Sequence, residues 1–155
     1  MTFHVSPEEL AIGLELEPGS WGRKIRTLRS GAAQIKEHSV FLWEMALEAA
    51  RLSTDPALTS RLDCTFLTEE LEHAVSFRDQ FRPNGFVYRV RCLDDVRVHR
   101  GDYSLLTHQG DDRPLIDWFP DASKKYWTEE PKGNVELLYP GRIRIEEAVG
   151  ADHRS

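Results

Sequence analysis

Basic residues are the scarcer charge type in this chain, 20 lysines and arginines against 26 aspartates and glutamates. The resulting net charge of -6 excludes broad, non-specific duplex binding, which rests on many cationic contacts to phosphate. A small anion held at one place remains compatible with it. Cysteine is scarcer still, with Cys64 and Cys92 in separate apolar, strand-like runs. Two such residues exclude a disulfide scaffold and CxxC metal spacing, and without a secretion signal they read as free buried thiols. No run approaches the roughly 20 apolar residues of a membrane-spanning helix. The N-terminus lacks the basic, apolar, small-residue order of a signal peptide, so a cytoplasmic location without a membrane partner is expected. Also missing are GxSxG, a P-loop and GxGxxG, which leaves hydrolase, nucleotide-triphosphatase and dinucleotide-fold readings without an anchor. His4, His38, His73, His99 and His108 show no ligand-pair spacing, and no metal is expected.

What is present is an ordinary globular composition over 155 residues, 40% hydrophobic and 30% charged. One domain over residues 1–150 is expected, with a polar tail at 151–155. Residues 1–6 alternate as a short strand, and Ser6-Pro7-Glu8-Glu9 then reads as the cap of a brief helical turn. Leu14-Glu-Leu-Glu-Pro-Gly predicts a second extended piece. Trp21 to Arg29 carries four cations in nine residues, a solvated loop or, less commonly, a phosphate clamp. From Gly31 to Ser53, Ile35, Leu42, Met45, Ala49 and Leu52 recur at steps of seven, three, four and three, which predicts the longest helix, ended by Asp55-Pro56. Leu62–Leu67 reads as a strand and Thr68 as the cap of a second helix carrying Leu71, Ala74, Val75 and Phe81. Phe86–Leu93 and Val96–His99 read as strands, with Arg100-Gly-Asp as a turn after them. Residues 104–125 read as a long irregular segment, a lid over a site or mobile filler. Strands at 136–138 and 143–145 flank Tyr139-Pro-Gly. Strand-rich ends around early helices give an α+β class.

Two strands each contain one ionisable side chain among apolar neighbours, Phe3-His4-Val-Ser and Asn134-Val-Glu136-Leu-Leu-Tyr. An unpartnered buried charge costs several kcal/mol, so His4 and Glu136 read as candidate site residues. On their own residues, His4 reads as a core-edge histidine, Glu136 as the solvent face of an edge strand, and Phe66 as a core residue. Tyr126 and Trp127 suit either the cover of a pocket or the core.

In order along the chain stand Phe3-His4-Val-Ser, Leu10-Ala-Ile-Gly, Phe66-Leu-Thr-Glu-Glu-Leu-Glu-His-Ala-Val, Tyr126-Trp-Thr-Glu-Glu-Pro and Val135-Glu-Leu-Leu-Tyr-Pro-Gly. This series resembles the ADP-ribosyltransferase fold, in particular the rifampin ADP-ribosyltransferases and an uncharacterised bacterial family of similar size. The resemblance implies two small antiparallel or mixed sheets around a central cleft. It implies NAD as co-substrate, release of nicotinamide, and an acceptor that is a small molecule, a protein side chain or a nucleic-acid base. His4 matches the histidine that contacts a ribose, Phe66 the aromatic that stacks on nicotinamide, and Glu136 the carboxylate of a late strand. Phe66 stands where a tyrosine is usual, which keeps the ring face and loses the hydroxyl. The rifampin enzymes resemble a variant using an aspartate from an earlier loop, which points to Asp94 or Asp95 instead. Arg23, Lys24 or Arg26 would hold the pyrophosphate, and Tyr126 would border the pocket. Two other readings accompany this one: a non-catalytic nucleotide- or partner-binding module that retains the fold, and RNA 2'-phosphotransferase chemistry, which the short acidic chain disfavours.

Overall fold

The computed structural model describes residues 1–31, 34–107 and 112–150. Along them run β1 (Thr2–Ser6), β2 (Glu15–Leu16), α1 (Ser20–Thr27), α2 (Ile35–Thr54), β3 (Thr65–Leu67), α3 (Leu71–Phe81) and β4 (Phe86–Cys92). They continue with β5 (His99–Asp102), a 3-10 turn (Tyr103–Leu106), α4 (Leu115–Thr128), β6 (Val135–Tyr139) and β7 (Ile143–Val149). The fold is α+β, with two antiparallel sheets ordered β1-β4-β7-β2 and β3-β6-β5. A single bridge between Phe3 and Thr68 links them at a corner, through N–H···O bonds of 2.8 and 3.0 Å.

Strand alternation decides which side chains meet. On β6, Leu137 and Tyr139 turn between the sheets and join Leu67, Tyr88, Val90, Ile143 and Ile145 in one buried cluster. Leu138 turns the other way, into a second cluster with Leu47, Trp118, Tyr126 and Trp127 beneath α2 and α4. Phe3 and Val87 pack under Ala74 of α3. Both faces of the central strands are therefore covered, which explains why they read as nearly continuous apolar runs.

Several elements depart from the sequence reading, each for a local reason. The cationic stretch is helical: α1 docks through Ile25 and Gly22, and a Cβ at Gly22 would lie 1.7 Å from the Leu62 carbonyl oxygen. The turn after Ser6 is a bend held by its own hydroxyl, which accepts from the Glu8 N–H at 3.1 Å and donates to the Glu8 carbonyl. Thr68 is occupied by the inter-sheet bridge, so α3 begins only at Leu71. Arg100-Gly-Asp is strand rather than turn, because Gly101 lies opposite Glu136 in the β5–β6 ladder. Residues 104–125 are largely the 3-10 turn and α4, whose Trp118, Phe119 and Ala122 are core; residues 108–111 lie outside the described ones, as does the tail at 151–155. Cys64 is buried as expected, whereas Cys92 is exposed. Most consequential is α2. Its helical period was legible, yet Ile35, Leu42 and Leu52 are 85%, 65% and 52% exposed, and the face that packs inward carries Leu47 with Glu44 and Arg51. Trp43 helps fix that rotation by setting its ring 4.2 Å from Phe119.

Asp102 ties the β5 end to the loop before β6. Its carboxylate accepts from the backbone N–H groups of Ser104 at 3.0 Å, Lys132 at 2.9 Å and Gly133 at 2.7 Å. Burial alone would raise its pKa, but those donors and the Ser104 hydroxyl hold it below the ordinary aspartate value. A depressed carboxylate stabilises the fold above its unfolded pKa of about 3.9 and loses that contribution as pH falls through the folded value. Asp102→Asn is expected to cost roughly 1–3 kcal/mol at pH 7. Chemical denaturation from pH 7 to pH 3 should show the difference from wild type shrinking with acid; a constant difference would rule out this linkage.

Candidate functional site

Glu136 sits on the face of β6 that turns towards the helices, 15% exposed at its side chain. Its carboxylate accepts a 2.6 Å hydrogen bond from the Tyr126 hydroxyl and is ion-paired with Arg61. The Arg61 guanidinium also donates to Tyr126 Oη at 2.9 Å and, through Nε and Nη2, to Glu44 at 3.1 and 3.2 Å. It lies 4.8 Å from the centre of the Phe66 ring, a cation–π contact that closes the remaining side. Burial would lower the Arg61 pKa, but Glu136, Tyr126 and Glu44 outweigh it and hold the guanidinium well above its usual value. Burial and the Glu136 carboxylate push the Tyr126 phenol up, so it remains a donor. Two carboxylates thus face one guanidinium, leaving a formal surplus of one negative charge in an interior setting where electrostatic interactions are strong.

Each member reaches the cluster by a separate route. Glu44 and Arg61 arrive from mid-α2 and from the loop before β3, Tyr126 from the last turns of α4, and Phe66 and Glu136 from two paired strands. Phe66 pairs with Leu138 in the β3–β6 ladder, which puts its side chain on the same face as Glu136.

His4 approaches the same region from the other sheet. It stands opposite Tyr88, a member of the inter-sheet cluster, and its Nδ1 lies 3.1 Å from the Phe66 carbonyl oxygen of β3. A carbonyl only accepts, so Nδ1 carries the proton. Burial lowers the imidazole pKa, against the opposing pull of that carbonyl bond. The ring is then neutral at pH 7 and Nε2 is an acceptor. His4 and Glu136 make no hydrogen bond or ion pair with each other among the described residues. They flank β3 from its two sides, with the Phe66 backbone against one and the Phe66 ring beside the other's partner. The idea of an imidazole and a carboxylate facing each other across one open cleft is corrected to this arrangement.

The remaining candidates are dispersed. Arg23 and Arg26 are exposed on α1, the first donating to the Pro18 carbonyl and the second paired with Asp63 at 2.8 Å. Asp94 is committed to Arg142, whose backbone N–H and guanidinium donate to its carboxylate, and those bonds hold its pKa below the usual range. Asp95 borders a cleft of about 340 Å³ between the sheets, whose other walls include Thr2, Leu67, Cys92, Leu137 and Tyr139. Glu136 is not among those walls. Tyr126 is fully buried and touches Glu136 directly. Among the described residues, no group of three or more His, Cys, Asp or Glu side chains is arranged to hold a metal. No described helix is long and apolar enough to cross a membrane.

Arg61 and Glu44 were not singled out in the sequence, although a signal existed. Glu44, Leu47 and Arg51 are spaced by three and four, the buried face of α2, and Arg61 opens the run Leu62-Asp-Cys-Thr-Phe-Leu. No curated protein matches the chain in sequence. Residues 23–151, which include Glu44, Arg61, Phe66, Tyr126 and Glu136 but not His4, match the model of a family described as a protein of unknown function, DUF2441, and the chain belongs to that family.

Proposed function

We propose that this chain is an NAD-dependent transferase of ADP-ribosyltransferase-like architecture that moves ADP-ribose to an acceptor and releases nicotinamide, with Glu136 as its catalytic carboxylate. The observation that carries the reading is that positions 4, 66 and 136, distant in sequence, meet around β3, where the Phe66 carbonyl bonds His4 and the Phe66 ring covers Arg61, the ion-pair partner of Glu136. NAD, when bound, would supply the ADP-ribosyl group and its cleavable bond to nicotinamide. Such cleavage develops oxocarbenium-like positive charge, which a buried cluster with surplus negative charge favours. Tyr126 and Arg61 hold the Glu136 carboxylate in one orientation, so it need not reorganise. The Phe66 ring offers a flat apolar face, and His4 Nε2 an acceptor for a ribose hydroxyl.

A second reading, a non-catalytic nucleotide- or partner-binding module on the same fold, is favoured by one feature. Glu136 already has a buried cation as partner, and a structural counter-ion needs no further role. Purified protein incubated with NAD, with free nicotinamide followed over time, separates the two. The transferase reading expects release by the wild type and a loss of at least about 100-fold in Glu136→Gln with NAD affinity retained, of the size seen when one electrostatic group is removed. Wild-type binding without release faster than the variant would leave only the binding module. Absence of any NAD binding by calorimetry would remove both. For His4→Ala, NAD affinity is expected to fall about tenfold, roughly 1.4 kcal/mol, in addition to a loss of about 1–3 kcal/mol in stability from the broken bond to the Phe66 carbonyl. A lower melting temperature with unaltered affinity would mark a structural histidine.

A further inference from the structure

The outward face of α2 has a pattern that its own fold leaves without a partner. Ile35, His38, Leu42, Met45, Ala49 and Leu52 follow one another at steps of three, four, three, four and three, the a and d positions of a heptad repeat. Ile35, His38, Leu42, Ala49 and Leu52 are exposed and Met45 is half-buried, while Leu47 and Arg51 are buried on the inward face. A helix apolar on both sides is normally covered on both sides.

We infer that α2 pairs with the α2 of a second copy of this chain, antiparallel, across a two-fold axis that passes between Trp43 and Glu44. The spacing is symmetrical about that point. An antiparallel pair therefore sets Ile35 against the second copy's Leu52, His38 against its Ala49, and Leu42 against its Met45, and the axis repeats each contact. This is the self-complementarity that a two-fold interface requires. It also matches sizes, with the imidazole meeting the smallest residue of the row. A parallel pair would bring the two His38 rings together and leave a gap between the two Ala49 methyl groups.

Charge and area agree with the same occupant. The positions beside the seam are Ser39, Ala46 and Ser53 on one side and Phe41 and Glu48 on the other, and Glu48 is already bonded to Arg51 and Ser60. No unpaired like charges oppose across the axis, and Lys36 of each copy comes within a turn of the other's Asp55. Twenty residues of helix present about 30 Å of seam. Phe41 beside it is 38% exposed, and Leu115 and Ile116, 58% and 81% exposed, start the helix whose Phe119 contacts Trp43. These exposed apolar groups add to the seam, and a stable interface buries roughly 800 Å² per partner.

Sedimentation equilibrium of the full chain at about 50 μM, well above typical dissociation constants of such interfaces, tests the pairing. Twice the 17.8 kDa chain mass is expected, with Leu42→Glu weakening association at least 100-fold while circular dichroism is unchanged. Orientation is read by oxidation in a Cys92→Ser background. Ile35→Cys combined with Leu52→Cys should give a covalent dimer, and Ile35→Cys alone should not. A wild-type mass of 17.8 kDa, as a helix from another protein on this face would leave, overturns the inference. So does a dimer indifferent to Leu42→Glu, or a covalent dimer from Ile35→Cys alone. Should Leu42→Glu fail to fold, the cysteine pair decides by itself.

Discussion

Arg61→Met is expected to lower the melting temperature by roughly 10–15 °C, because it removes the buried cation that faces the buried Glu44 and half-buried Glu136 carboxylates. Removing one partner of a buried ion pair costs about 3–5 kcal/mol, and for a domain of this size each kcal/mol is worth roughly 2–4 °C. The loss comes chiefly from leaving Glu44 and Glu136 without a donor, since methionine fills much of the same volume. Combining Arg61→Met with Glu44→Gln and Glu136→Gln should therefore recover at least half of the deficit. If the triple variant melts no higher than Arg61→Met, the cluster is not held by charge and packing of the arginine stem is the better account. Thermal unfolding of wild type, Arg61→Met and the triple variant, run at one pH and ionic strength, gives the comparison.

Gly101→Ala is expected to be nearly as damaging, about 3 kcal/mol or somewhat more. A Cβ at that position would lie 2.3 to 2.5 Å from the Tyr126 ring and hydroxyl, far inside contact distance. Overpacking a dense core usually costs about 1–3 kcal/mol, and this site is pinned on both sides, by the β6 backbone and by α4. The ring cannot withdraw without breaking its 2.6 Å bond to Glu136. Tyr126→Leu should relieve the clash, so the double variant Gly101→Ala/Tyr126→Leu should be less destabilised than the sum of the singles. Simple additivity in urea denaturation would show that the backbone, and not the ring, absorbs the methyl group.

The strands were the legible part of the fold. β1, β4 and β6 carry enough alternation and enough β-branched and aromatic residues to be placed within a residue or two, whereas β7 was placed at its start but runs on to Val149, beyond the expected 145. α2 was legible as a helix, but its rotation was not: the apolar stripe and the core-facing row both have helical spacing, and only the neighbours on α4 choose between them. α1 was hidden because its surface cations outnumber the two small contacts that dock it, Gly22 and Ile25. α4 was hidden by Pro120 and the polar residues ahead of it. At the site, His4 and Glu136 drew notice as polar groups in apolar strands. Their setting could not be read, since Arg61 and Glu44 join Glu136 across 75 and 92 positions of chain, Arg61 by the ion pair and Glu44 through that guanidinium. Such pairings are products of the tertiary fold and leave no local trace.

The strand order carries a consequence for how the protein is made. β7 lies between β4 and β2 in the larger sheet, so β2 has no lateral neighbour until residues 143–149 have been synthesised. β3 likewise waits for β6, some 70 residues further on. During translation the first half of the chain can form α2 on its own, because helices close locally, while its strands leave the ribosome with their edges unmatched. Completion of the larger sheet is thus deferred to the emergence of one late segment, and nascent chains arrested before Ile143 should be readily degraded where full chains carried clear of the ribosome by an added C-terminal linker resist.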